Sequence, residues 1–511
     1  MTRSIVTKFA ALATGIALIF TGISAFTAVQ SAQAVNQTGY AGNVDIPDPT
    51  LVPNYLIGTE PVMAVLSDGS VVVGSKPHDW GVGQGMTKPL IKFNKDGSYD
   101  ATFDANYGDI SYQGHNDGVV SAIAVDDQDN IYIGGTFITL NGDGAVNIAK
   151  LAPNGTPDTG PFYLAELDGF DRPVSSMVYA DGYLTIGGQF NQYLSQPVDH
   201  VVRIDRDGNP DQIFDNNLLA TAAAAGVQPG FDVPTLAVTP SGETVLMLNM
   251  NAQEPNGNNY QLLRVDASGN YDAAFGGNNG IIGAPTGIAV VNSGSDPLNH
   301  STESYLISGA PRGYSGRMLG ATENGFVKVS YDGIFDDPFT NTWSLSSSFL
   351  TGGTGFENIR SMAVQPNGRI IAIGATSTGD TYIFRLLPDG TVDQTWNPDN
   401  IYVKTGSVSS LELSPAGDSV FVAGDFQDLF GNADPNFTRL STAASFNVFL
   451  DPNDGVTLPP FPSFITDADG SFATPAGITR PGYTFDGWLD QPVGIMLTGP
   501  RYAPTYGGDT H

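Results

Sequence analysis

Apolar and polar positions alternate along this chain in short runs. Seven times an apolar run leads through a polar turn to a second apolar run: Val62–Gly74, Val120–Gly135, Val174–Gly188, Val233–Leu248, Pro285–Gly309, Ile359–Gly374 and Val408–Gly424. Most copies end on glycine, and Gly, Asp, Asn and Pro clusters punctuate the runs. Short β-rich runs bounded by such clusters predict strands. No capped amphipathic helical segment of useful length stands out, so the pattern predicts an all-β chain. The copies recur at about 50 to 75 residues, which fits four short strands with their loops, one propeller blade. One column of the opening run is small: Ala122, Ser176, Thr235, Gly287, Ser361 and Ser410, with Val62 in the first copy. Small side chains suit strands that crowd around a central axis.

The second half of each copy has its own grammar. Asp96-Gly97, Asn154-Gly155, Asp207-Gly208, Ser268-Gly269, Asp332-Gly333 and Asp389-Gly390 mark tight turns, and a two-residue hairpin there needs residues that tolerate positive φ. Five before each glycine stands a base: Lys92, Lys150, Arg203, Arg264, Lys328 and Arg385. Three after it stands an acid: Asp100, Asp158, Asp211, Asp272, Asp336 and Asp393. Six after it stands Phe103, Phe214, Phe275, Phe339 or Trp396; in the second copy the aromatic slips by one, to Phe162. Residues flanking a hairpin face each other across antiparallel strands. The spacing therefore predicts one basic–acidic pair per unit, bridging strands three and four and fixing register. A ligand site would not need the same pair in every unit.

Arg439 occupies the basic column of the seventh copy, but Leu440-Ser441-Thr442-Ala443-Ala444 follows it, with no Gly-x-x-Asp. Gly42-Asn43-Val44-Asp45 and Asp48-Pro49-Thr50-Leu51 supply that half at the other end of the chain. The expectation is a seven-bladed β-propeller over residues 35–445, closed by an N-terminal strand that brings Asp45 to Arg439.

These paired motifs resemble the delta-60 repeat family. The copies Ile359–Gly374 with Arg385–Trp396, and Val174–Phe190 with Arg203–Phe214, carry the likeness best. The resemblance covers about residues 40–445 and implies a seven-bladed propeller of bacterial secreted or surface proteins, with no catalytic residues to carry over. The fourth copy departs from it at Met247-Leu248-Asn249-Met250 and the fifth carries an insertion around Ser295–Ser304. Beyond Ser445 the grammar changes. Arg480-Pro481-Gly482-Tyr483-Thr484-Phe485-Asp486-Gly487-Trp488 resembles the internalin-type B repeat, or Listeria–Bacteroides repeat. That likeness implies a small β-grasp-like module over 446–511, used as a stalk or spacer. Family members continue past a Gly-Asp-Thr turn to a closing tryptophan; this sequence stops at Gly508-Asp509-Thr510-His511, which leaves the expected module short of its last strand.

Composition adds compartment and exclusions. Arg3 and Lys8, the apolar stretch Phe9–Phe26 and the small-x-small Ala32-Gln33-Ala34 read as a secretory signal peptide over residues 1–34. No other run approaches membrane-spanning length. The chain has no cysteine, which excludes disulfides, thiol catalysis and thiolate metal sites. With 52 acidic and 21 basic residues the net charge is −31; losing Arg3 and Lys8 with the leader leaves 19 bases and −33. Such acidity argues against nucleic acid and anionic membrane as partners.

Candidate chemistry is sparse. His78, His115, His200, His300 and His511 have no metal spacing, and no nucleophile elbow, phosphate loop or zinc helix motif occurs. Asp126-Asp127-Gln128-Asp129-Asn130 opens like a calcium loop, with Asp126, Asp127 and Asp129 as candidate ligands, but position 137 is Phe137 where such a loop needs glutamate. Asn141-Gly142-Asp143-Gly144 is a second acidic loop, and Trp80 and Tyr193 are aromatics that could stack on a sugar. No cofactor is expected beyond calcium at such loops. The sequence therefore points to a secreted or cell-surface monomer that binds extracellular protein or glycan without catalysis. The alternatives are a secreted propeller enzyme, either a polysaccharide lyase or hydrolase or a quinone-dependent dehydrogenase, and a purely structural layer component. Polar residues that break the repeat pattern near the channel mouth would separate these readings.

Overall fold

The computed structural model describes most of residues 57–442 (57–77, 87–112, 115, 117–158, 169–224, 232–249, 259–275, 280–292, 303–393, 396, 401–403, 405–428 and 436–442) and, outside them, the backbone of short strands at 3–10 and between 447 and 502. Within 57–442 a three-stranded antiparallel unit recurs. Unit one is β1 (Thr59–Val65), β2 (Val71–Lys76) and β3 (Leu90–Phe93); unit two is β4 (Val119–Val125), β5 (Ile131–Thr136) and β6 (Ile148–Leu151). Unit three is β7 (Val174–Ala180), β8 (Tyr183–Gly188) and β9 (Val201–Asp205); unit four is β10 (Asp232–Val238), β11 (Thr244–Asn249) and β12 (Asn259–Val265). Unit five is β13 (Gly280–Asn292), β14 (Glu303–Tyr314) and β15 (Phe326–Ser330); unit six is β16 (Asn358–Val364), β17 (Ile370–Ala375) and β18 (Thr381–Leu386). Unit seven is β19 (Thr405–Leu413), β20 (Ser419–Asp428) and β21 (Phe437–Ser441). The fold is all-β and propeller-like: each opening strand packs on the next, and β19 packs on β1.

Burial explains the composition of each strand. The middle strands lie between neighbouring units and are buried on both faces, as in Val71–Ser75 and Ile131–Gly135, so they read as continuous apolar runs. Their terminal glycines sit where units come closest. A Cβ on Gly134 would lie 2.6 Å from Val174 Cγ1, and one on Gly187 2.8 Å from Val233 Cγ1. Gly134→Val should therefore lower stability by about 1–3 kcal/mol through overpacking, read as a lower urea midpoint at constant m-value; an unchanged midpoint would mean that the units are not wedged together at this column.

The opening strands carry a feature the sequence did not announce. A register shift falls at the small column in every unit, for example between Val120 and Ala122, Ile359 and Ser361, and Val408 and Ser410. Such bulges add twist where strands converge.

Two expectations about the second half of each unit are corrected. The turns are three-residue loops: Gly390 N–H bonds Leu387 O at 3.0 Å, Leu387 N–H bonds Thr391 O at 2.8 Å, and the left-handed residue is Gly390 at φ 90°. That is a type I turn closed by a left-handed glycine, which only the glycine position demands. The fourth strand shrinks to one bridge in units one to six, such as Phe93 to Tyr99 and Leu386 to Val392. The acid that follows begins a helix or helical turn. Among the described residues three helices result: α1 (Ala101–Tyr107), α2 (Gln212–Ala224) and α3 (Asp337–Thr351). They bury Phe103 and Tyr107, Phe214 and Leu218, and Phe339, Trp343 and Leu350. Among the described residues, unit six adds an outer strand of the regular kind, Ile401–Val403 on Thr381–Ile383. Units four and five are joined edge to edge, Asn259–Gln261 pairing with Gly280–Ile282.

Among the remaining strands, Arg3–Ala10 lies between Asn447–Asp451, antiparallel, and Tyr483–Asp490, parallel. Removal of residues 1–34 as a leader would leave those partners in two separate hairpins, 447–451 with 463–465 and 483–490 with 495–497. Among the described residues no helix is long and apolar enough to cross a membrane. Asp45 and the 42–51 segment, Phe162, His78, Trp80, His300, His511 and the 295–302 part of the insertion lie outside the described residues.

Candidate functional site

The repeated base and acid come together in units one to six, and the aromatic joins them in units one and three to six. Nitrogen–oxygen separations are 3.8 Å for Lys92–Asp100, 3.7 Å for Lys150–Asp158, 2.6 Å for Arg203–Asp211, 3.4 Å for Lys328–Asp336 and 2.9 Å for Arg385–Asp393; Arg264 Nε donates to Asp272 at 3.1 Å. Each acid's N–H also bonds its base's carbonyl, at 2.7–2.9 Å. The pair does not bridge two long strands as the spacing had implied, because the acid is a helix cap. Asp211 Oδ1 accepts from the N–H groups of Ile213 and Phe214, while Oδ2 holds Arg203. Asp100 and Asp336 likewise cap α1 and α3. The aromatic three residues on lies under the cation, with Arg203 4.1 Å from the Phe214 centroid and Arg385 5.3 Å from that of Trp396. Burial would raise the pKa of Asp211 and Asp272, yet hydrogen bonds from Arg203 and Arg264 bring both below the usual carboxylate value.

The base also reaches the following unit, always to the carbonyl three residues past that unit's own base. Lys92 Nζ donates to Pro153 O at 2.8 Å, Lys150 to Arg206 O at 3.0 Å, Arg264 to Tyr331 O at 2.5 Å and Lys328 to Pro388 O at 3.2 Å. Arg385 reaches Thr442 O, and Arg439 returns to Lys95 O at 3.3 Å. Arg203 instead stacks on Tyr183. Among the described residues Arg439 has no carboxylate within 4.0 Å; Asp45 is not among them. This column stitches units together and is occupied by its own partners.

The acidic loop behaves similarly. Asp126 accepts from the N–H groups of Gln128 and Asn130, both at 2.9 Å, and from Tyr132 Oη at 3.1 Å. Asp127 holds Arg206 of unit three at 2.6 Å, and Asp129 accepts from Ser67 N of unit one at 2.8 Å. The three carboxylates diverge to three partners, and no group of three metal-binding side chains occurs among the described residues. Asn141-Gly142 turns a small hairpin, Thr139–Leu140 with Asp143–Gly144. Tyr193 is buried, its hydroxyl on Gly208 O at 2.8 Å. His200 is buried with Nδ1 2.9 Å from Phe190 O, and His115 is exposed in a turn with Tyr112.

Asp215, one turn into α2, is buried and accepts Arg203 N–H at 3.0 Å. Burial, reinforced by Asp211, pushes its pKa up to about 7 against the opposing pull of that hydrogen bond and of Arg203. A folded pKa above the unfolded one means that the native state holds the proton longer. The resulting stability is present at low pH and is lost as pH rises from about 4 to about 7. Asp215→Asn should match the parent at pH 4 and exceed it by roughly 2–4 kcal/mol at pH 8; chemical denaturation at both pH values checks this, and equal pH slopes for the two proteins would contradict it.

The repeat pattern breaks in the inner strands. One residue before the small column stand Pro61, Ser121, Ser175, Pro234, Thr286 and Ser409, but in unit six Arg360. Two residues after it stand Ala64, Ala124, Val178, Ala237, Ala289 and Ala363, but in unit seven Glu412. Both are half-buried. Arg360 Nη1 donates to Val408 O at 3.2 Å, and Ser361 Oγ accepts Leu411 N–H at 3.1 Å, so the two departures lie on contacting strands. Burial lowers the pKa of Arg360 and pushes that of Glu412 up to about 8. Residues carrying the odd charge in a ring of neutral equivalents are the candidate site. The columns were legible in the sequence; extending the alignment by one residue before and two after the small position would have found them.

Residues 128–160, 180–214 and 365–395 match the family described as "Domain of unknown function (DUF5122) beta-propeller", so the chain carries β-propeller repeats. No curated protein matches. Similar solved structures include one described as "YCF48 bound to D1 peptide", with TM-score 0.40 and 10% identity over 81% of this chain and 100% of that one. Another is a putative 6-phosphogluconolactonase from Bacteroides uniformis ATCC 8492, with TM-score 0.34 and 11% identity over 78% of this chain and 97% of that one.

Proposed function

We propose that this chain is a secreted or cell-surface bacterial propeller that binds or scaffolds an extracellular protein or glycan without catalysis. The observation that carries the reading is the difference between its two ends. At one end the turns repeat a single pattern, each glycine at φ 74–90° and most of their carbonyls held by the preceding unit's base. At the other end the connections differ in kind: a three-strand patch in unit two (110–111, 139–140, 143–144), the hairpin 192–197 in unit three, the extended β13–β14 ribbon in unit five and a tight turn at 376–380 in unit six. Variable connections on a uniform scaffold are where binding is carried.

The ring is seven-bladed in this reading, with residues 42–51 as the outer strand of unit seven and 446–511 as a spacer. The order of opening-strand contacts and the link from Arg439 to Lys95 support it. Residues 1–34 direct export, so the N-terminus of the secreted protein should read Val35. A glycan array and an extracellular pull-down with the purified protein test the function. Replacing Gln192–Pro197 or Thr139–Gly144 by glycine–serine loops should abolish retention of a ligand, and Asp96→Ala on the uniform end should not; the opposite result would overturn the reading.

A further inference from the structure

Arg360 differs from the repeated-column arginines of units three, four and six. Arg203, Arg264 and Arg385 each hold an aspartate of their own unit. Arg360 is half-buried, with one hydrogen bond to Val408 O and no carboxylate within 4.0 Å among the described residues. A partly desolvated cation without a counter-ion is costly, and all six equivalent positions carry serine, threonine or proline. A guanidinium so placed has a planar fork of donors free for a carboxylate.

The surroundings narrow the ligand. Ser361, Ser409 and Thr286 place short hydroxyls on the same and adjacent inner strands. Glu412 lies on β19 four residues along from the carbonyl that Arg360 holds, roughly 13 Å at the rise of a strand. Burial pushes its pKa up to about 8, which favours a neutral carboxyl that can donate to a sugar hydroxyl or ring oxygen. Building on the binding role proposed above, we infer that the inner wall at units six and seven is a glycan subsite for a uronic acid residue, with Arg360 clamping its carboxylate and Glu412 hydrogen-bonding further along the same chain.

Calorimetric titration of the full-length secreted protein with tri-galacturonate tests this, with neutral galactotriose and a short peptide ending in a free carboxylate as the other arms. Tri-galacturonate should bind, weakening with added salt, and both other probes should not. Arg360→Met should weaken binding at least tenfold, Arg360→Lys less, and Glu412→Ala several-fold, each variant melting as a folded protein. Equal binding by folded Arg360→Met, or by galactotriose, overturns the inference, and so does preference for the peptide. If tri-galacturonate fails while the array or pull-down finds a ligand that Arg360→Met still holds, the uronate subsite falls and the binding role stands.

Discussion

Replacing Asp393 by asparagine is expected to cost the folded protein about 3–5 kcal/mol, the penalty of leaving a buried charge without its partner. Arg385 is 2% exposed and Asp393 3%. One carboxylate oxygen takes Arg385 Nε at 2.9 Å and lies 3.1 Å from Arg369 Nε. Burial lowers the pKa of Arg385 to about 10, Asp393 opposes that, and Arg369 adds to it. Without the carboxylate, two guanidiniums face each other with only a neutral amide between them. Arg385→Met should cost less, because Asp393 keeps Arg369, although the carbonyl of Thr442 in unit seven loses its donor. Combining the two changes should recover part of the loss. Asp100→Asn, whose partner Lys92 stands 3.8 Å away and whose side chain is 20% exposed, should cost about 1 kcal/mol. Urea unfolding at pH 7 with matched m-values ranks the four proteins. An Asp393→Asn protein within 1 kcal/mol of its parent, or one that keeps its stability while losing a ligand, would show that the column does not serve as a structural stitch.

The stitching was legible because it is repeated: seven bases in one column survive any uncertainty about a single strand. Its geometry was harder to read, since an aspartate three residues past a turn glycine looks the same whether it flanks a strand or caps a helix. The discriminating signal was the aromatic three residues on, at the N3 position of a capped turn. Composition hid the helices further. α3 faces the core with Thr340, Ser346 and Ser347 as well as Phe339, Trp343 and Leu350, so its buried stripe does not appear as an apolar period. Its outer face carries Leu345 and Phe349, exposed one turn apart, which blurs the period again. The join between units four and five rests on pairing about 20 residues apart, and sequence pattern is weak where register is set at a distance. Arg360 and Glu412 lie at the opposite extreme. They were visible as exceptions to their columns, and their meaning needed the structure, which puts them on contacting inner strands.

The proposed closure of unit seven by residues 42–51 can be tested through Arg439. In units one to six the acid's N–H meets the base's carbonyl at 2.7–2.9 Å and its carboxylate meets the base's side chain. Arg439 presents the same carbonyl and guanidinium, and Gly42-Asn43-Val44-Asp45 repeats the Gly-x-x-Asp spacing. A direct backbone hydrogen bond between two residues places their Cα atoms about 5–6 Å apart, within disulfide range. The chain has no cysteine of its own, so Asp45→Cys with Arg439→Cys makes a single addressable pair. Mild oxidation should close it within one molecule, seen as faster migration on a non-reducing gel that reductant reverses. Bridging a loop of about 390 residues removes a large share of unfolded-state entropy and should raise stability by about 4–5 kcal/mol relative to the reduced form. Disulfide-linked dimers in place of the fast monomer band would mean that the strand is exchanged between copies. Two free thiols after oxidation, in a chain that still melts cooperatively, would mean that residues 42–51 do not complete the ring.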